Sequence, residues 1–111
     1  MYTANNSKEL KKLIKGDKFP IIVTDEKTKE TIRLLEALKS KGILSTAKDE
    51  IKKAIITYFS YVTTMNVISE PTLIVIVGLS LTTLIALYAL YKEKNIKVCY
   101  NEDGSITIET F

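Results

Sequence analysis

Between residues 54 and 91 the chain carries one charged side chain, Glu70, whereas on both flanks apolar and charged residues alternate at short intervals. The second part of that stretch, residues 72–91, reads TLIVIVGLSLTTLIALYALY and puts apolar side chains on every face of a helix. At the helical rise it is about 30 Å long, the thickness of a bilayer's hydrocarbon core. The pattern predicts a membrane-crossing helix that starts at Pro71, a residue tolerated in a first helical turn, and ends at Lys92, Glu93 and Lys94. Residues 54–68 are also uncharged but span only about 22 Å. In them Ile55, Tyr58, Phe59, Val62 and Met65 share one side while Thr57, Ser60 and Thr64 line the other. This first arm reaches part-way across, with Lys52 and Lys53 stretching to the interface, lies beside the membrane, or packs inside a soluble domain.

The flanks have other periods. Leu10, Leu13 and Ile14 against Lys8, Lys11, Lys12 and Lys15 predict a helix of about two turns, with Ser7 as N-cap and Gly16 as its stop. Phe19-Pro20-Ile21-Ile22-Val23 predicts a strand in which Pro20 fits only near the start or on an edge, since it has no N–H for a ladder. Thr24 or Asp25 then caps a helix that runs to about residue 41, with Ile32, Leu35 and Leu38 as its inner stripe and Leu34 widening the buried face.

Downstream, Ile96, Val98 and Tyr100 alternate with polar neighbours, as do Ile106 and Ile108 after Asn101-Glu102-Asp103-Gly104. A two-residue turn would scatter the apolar side chains between faces. A loop of residues 102–104 with Gly104 left-handed instead pairs Tyr100 with Ile106, Val98 with Ile108 and Lys97 with Glu109. Two strands alone are marginal, so the apolar face of this hairpin has to meet the first strand or a helix.

These elements predict an α+β fold: a hydrophobic helical hairpin with one or two membrane-crossing helices, attached to a small head built from the strand-helix unit and the C-terminal β-hairpin. The organisation read from the pattern is a basic strand-helix region over residues 1–45, the hydrophobic helical pair over 46–94 and the hairpin over 95–111. A total of 111 residues leaves no room for two independent cores beside such an anchor.

Charge orients the scheme. Lys48, Lys52 and Lys53 precede the helical pair and Lys92, Lys94 and Lys97 follow it, while the connection holds only Glu70. By the positive-inside rule a two-crossing hairpin places both termini in the cytoplasm, and a single crossing still favours a cytoplasmic N-terminus. Tyr88 and Tyr91 fall where an interfacial aromatic belt would put them.

Composition narrows the chemistry. Histidine and tryptophan are absent and Cys99 is the sole cysteine, which removes the usual ligands of zinc, haem and iron–sulfur centres and any Ser–His or Cys–His nucleophile. No glycine-rich phosphate loop follows the first strand, where Thr24-Asp25-Glu26 stands instead. Asp25, Glu26 and Glu30 cluster at a helix start and are accounted for by the helix dipole. No catalytic residue, cofactor or metal site is therefore expected. The lysines lack interleaved surface aromatics and are mixed with carboxylates, which argues against nucleic acid as a partner.

Two surfaces remain as candidates. Gly78, Thr82 and Ala86 recur at four-residue spacing, a row of small residues against which another helix can pack. Thr57, Ser60 and Thr64 make a polar face that could line a path through an oligomer. The function expected on this basis is a small, non-enzymatic, membrane-anchored structural or protein-interaction module, its partners being the lipid bilayer and a second copy or another membrane protein. The alternatives are an oligomeric pore-forming protein and a soluble oligomeric scaffold in which the apolar helix is buried.

Overall fold

A three-residue strand, β1 (Tyr2–Ala4), opens the chain and leads through Asn5 and Asn6 into helix α1 (Ser7–Lys15). The computed structural model describes residues 1–40, 49–53, 57 and 81–111. Strand β2 (Ile21–Val23) and helix α2 (Glu26–Ser40) follow, then helical residues 49–53, helix α3 (Leu81–Glu93) and strands β3 (Ile96–Tyr100) and β4 (Ile106–Thr110). The strands form one sheet in the order β1-β2-β4-β3, with β1 parallel to β2 and the other pairs antiparallel.

Local chemistry sets most of the boundaries. Asn6 caps α1, its side-chain oxygen accepting from the Glu9 N–H at 2.8 Å while the Glu9 carboxylate accepts from the Asn5 N–H at 2.7 Å. The expected cap, Ser7, instead sends its hydroxyl to Thr31 on α2, 3.2 Å away. The helix starts one residue earlier than expected, so Ser7 is its first residue and the extended Asn6 before it takes the cap. α1 ends at Gly16, whose N–H donates to Lys12, and the left-handed residue is Asp17 (φ 55). Asp25 caps α2, accepting from the Thr28 N–H at 3.0 Å and from its hydroxyl at 2.8 Å.

One face of the sheet carries the core. Ala4, Ile21, Val23, Ile96, Ile106 and Ile108 alternate along their strands and are buried. Against them pack Leu10 and Ile14 of α1, Ile32, Leu34, Leu35 and Leu38 of α2, and Leu84, Leu87, Tyr88 and Tyr91 of α3, in a single cluster. Leu34 is as buried as the expected stripe, so α2 does present the wider face. The hairpin pairs Tyr100 with Ile106, Val98 with Ile108 and Lys97 with Glu109, and Gly104 is left-handed (φ 89), the register expected from its apolar faces.

The expectation of a membrane-crossing helix and a helical hairpin is corrected by α3. It is 13 residues long, about 20 Å at the helical rise, and among the described residues no helix is long and apolar enough to cross a membrane. Nor do the described residues contain a helical hairpin; residues 58–80, and 54–56 of the first arm, lie outside them. The physical reason is that lack of charge does not distinguish lipid from protein as the surrounding medium. Leu84, Ile85, Leu87, Tyr88 and Tyr91 are covered by α1, α2 and the sheet. At about 1.5–3 kcal/mol per large apolar side chain, their burial is comparable with the whole net stability of a small domain. The strand-helix unit and the hairpin are consequently no separate head, since they share one sheet and one core with the apolar helix.

Candidate functional site

The amphipathic pattern of α1 decides what it shows outward. With Leu10 and Ile14 in the core and Leu13 half-buried, Lys8, Lys12 and Lys15 are exposed and Lys11 is partly so. α3 packs beside α1. Its residues Ala86, Ala89 and Leu90 are only half-buried, and Thr82 is exposed. The short side chains of Ala86 and Ala89 leave space uncovered beside α1. The result is an open groove of about 260 Å³ lined by Lys11, Lys15, Ala86, Ala89, Leu90 and Glu93. Its floor is apolar and its rim carries two ammonium groups and one carboxylate. Past the ends of the helices Lys94 pairs with Asp17 at 3.0 Å, tying the two chain segments together.

No family model, curated protein or solved structure matches this chain. What the groove can do therefore follows from its own chemistry. Its polar groups are the amines of Lys11 and Lys15 and the carboxylate of Glu93, and among the described residues no group of three His, Cys, Asp or Glu side chains could hold a metal ion. An apolar floor between charged rims is suited to taking the small-residue or aliphatic face of a peptide segment, with the lysines meeting carboxylates.

Of the residues singled out from the sequence, Ala86 lines this groove and Thr82 lies one turn before it on the surface, while Gly78 falls outside the described residues. Thr57 is helical and exposed, and its hydroxyl donates to the Lys53 carbonyl at 2.9 Å, a local bond within its own helix. Ser60 and Thr64 lie outside the described residues. Lys11, Lys15, Ala89, Leu90 and Glu93 escaped the sequence reading, although the lysine face of α1 and the Ala86–Ala89 spacing were both visible. What joins them is the packing of helices that lie some seventy residues apart, and no local pattern reports that.

Two polar clusters border the core elsewhere. Lys29, only 7 % exposed, donates to the Gly104 carbonyl at 2.9 Å and pairs with Glu26 at 2.7 Å, so it pins the hairpin loop to α2. The Thr28 hydroxyl and N–H hold the Asp25 carboxyl below its ordinary value, and the Ser105 hydroxyl and N–H do the same for Asp103. These bonds are turn and cap chemistry. On the other side Lys39 stands over the rings of Tyr91 at 5.7 Å and Phe111 at 5.6 Å. Burial raises the phenols of Tyr91 and Tyr88 above the usual value, with Glu36 adding to the effect at Tyr91.

Proposed function

We propose that this protein is a non-enzymatic interaction module that binds an acidic, amphipathic helical segment of a partner protein in the groove between α1 and α3. The observation that carries the reading is the lining of that groove: small and aliphatic side chains below, Lys11 and Lys15 on one bank. A helix with alanine or leucine on one face fits the floor, and carboxylates beside that face meet the two lysines. Lys8 and Lys12 continue the same basic bank and extend the field that would steer an acidic segment towards it. With the core face of α3 buried, Ala86 and Ala89 lie on the side that lines the groove, which supports this reading.

The test uses the full chain and a synthetic helical peptide with an Ala/Leu face flanked by glutamates, titrated by fluorescence anisotropy. Reversing both lysines, in a Lys11→Glu/Lys15→Glu variant, removes two rim ion pairs of about 0.2–1 kcal/mol each and replaces them with repulsion. Affinity then falls roughly 2- to 30-fold or more, and a lysine-flanked version of the peptide recovers it. Equal affinity of the native chain for the glutamate-flanked and lysine-flanked peptides would refute the proposal.

A further inference from the structure

A second surface, the edge of the sheet, has open valences among the described residues. β3 is an edge strand, with β4 on one side and no strand on the other among the described residues. The alternation of an antiparallel ladder tells which backbone groups face outward. The Asn101 N–H donates to the Ser105 carbonyl at 2.9 Å and the Phe111 N–H to the Asn95 carbonyl at 3.1 Å. Residues 95, 97, 99 and 101 thus turn towards β4, and the N–H and C=O of Ile96, Val98 and Tyr100 turn away from it. At Ile96 the carbonyl is already approached by Lys39 Nζ at 3.4 Å. Among the described residues nothing meets the outward donor and acceptor of Val98 and Tyr100. Beside them the Tyr100 ring is 60 % exposed, although Ile106, its cross-strand partner, is buried.

We infer that β3 pairs antiparallel with β3 of a second copy of this chain, in the register centred on Cys99, so that two four-stranded sheets become one. In that register the open N–H and C=O of Val98 meet those of Tyr100 on the other copy, and the two-fold axis repeats the exchange, which uses all the open groups of both residues. Val98 lies opposite Tyr100 on the core-facing side, a β-branched–aromatic pair that covers the exposed ring. On the outer side Lys97 falls opposite Asn101, so no like charges meet. The register centred on Val98 would draw on the Ile96 carbonyl, where Lys39 stands. A second copy is the occupant because the edge is complementary to itself and the pairing closes after two chains. Lysines are a common guard of strand edges, but here Lys97 points off the outer face of the sheet and Lys39 guards only the Ile96 end.

Cys99 reports on the register. Centred pairing sets it opposite its own copy as a non-hydrogen-bonded pair, about 4.5 Å between Cα atoms, within disulfide reach. The full chain is followed by sedimentation over rising concentration, then treated with oxidised glutathione, which takes up the two electrons and two protons released when the thiols join. The expected result is reversible growth towards twice the chain mass, and a covalent dimer that forms in the native chain and is absent from C99S. In a K97C/C99S variant the thiols stand four residues apart across the axis, and cross-linking is expected to slow at least tenfold. V98P removes an outward N–H without touching the β3–β4 ladder, so it abolishes the dimer while far-UV ellipticity is kept; where V98P does not fold, the cysteine pair alone decides. A chain that stays monomeric at every concentration, or cross-links at equal rates from positions 97 and 99, overturns the inference.

Discussion

Replacing Tyr91 by phenylalanine removes one oxygen from the interior and leaves the ring in place. Tyr91 is 2 % exposed, and its hydroxyl has no hydrogen-bond partner among the described residues. Glu36 lies close enough to raise the phenol pKa further but not at a geometry that satisfies the hydroxyl. A buried hydroxyl without a partner gives up its bonds to water at a cost of about 1–3 kcal/mol. The contact of Lys39 with the ring, at 5.7 Å, survives the change. Y91F is therefore expected to stabilise the protein by about 1 kcal/mol, the low end because the hydroxyl dipole retains some favourable interaction with Glu36. With roughly 2.1 cal/mol/K of unfolding entropy per residue, a chain of 111 residues gains about 4 °C in Tm. Urea unfolding followed by far-UV ellipticity measures this at unchanged m-value. The same variant has a pH signature. Because the folded phenol titrates above the unfolded value of about 10, its contribution is complete below that pH and is lost as pH rises towards the folded value. The gap between Y91F and the native chain should widen above pH 10. A variant less stable by 1 kcal/mol at neutral pH would show that the native hydroxyl holds a bond, and would refute the reasoning.

Asp25→Ala removes the α2 cap and should cost about 1 kcal/mol at pH 7. Since the folded carboxyl titrates below its unfolded value, that cost is present above pH 4 and fades as pH falls through the folded pKa, which acid titration of both chains by ellipticity will show. Gly104→Ala places a side chain at φ 89, where space is open but the backbone is strained, and a loss of about 1 kcal/mol in urea unfolding is expected, with Gly104→Asn milder. Leu87→Glu and Ala89→Glu sit two residues apart on α3, one buried and one half-buried in the groove. The first should unfold the protein and the second should shift stability by less than about 1 kcal/mol, both read by thermal melts.

The hairpin was legible because its period of two and its loop left one register that kept Val98, Tyr100, Ile106 and Ile108 on a single face. α2 was legible for a similar reason, its leucines and its acidic start agreeing on one helix. β1 was not, because a strand of three residues with one buried side chain, Ala4, has no period to detect; it exists only through its parallel pairing with β2. The position of β2 inside the sheet was equally hidden. Pro20 fitted either a strand start or an edge, which left the place of β2 open; it stands just before the strand, and its carbonyl accepts from the Tyr2 N–H of the neighbouring strand. In the groove, Ala86 was noticed for its size and not for its neighbours, since the lysines that give the site its charge come from α1.

The strongest sequence signal, the apolar run ending at Tyr91, misled through a true observation about α3: the helix has no polar face. In a membrane that is explained by lipid on all sides. In this domain two different surfaces account for it. Leu84, Leu87, Tyr88 and Tyr91 face the core, and Ala86, Ala89 and Leu90 face the groove beside α1. Burial separates the two sets where hydropathy cannot: the first fills the interior, and in the second Ala86 and Ala89 leave a trough with Leu90 beside it. On the reading proposed above, the groove side of this helix, Ala86 and Ala89 with Leu90, would receive the partner, and the lysines of α1 would select an acidic one.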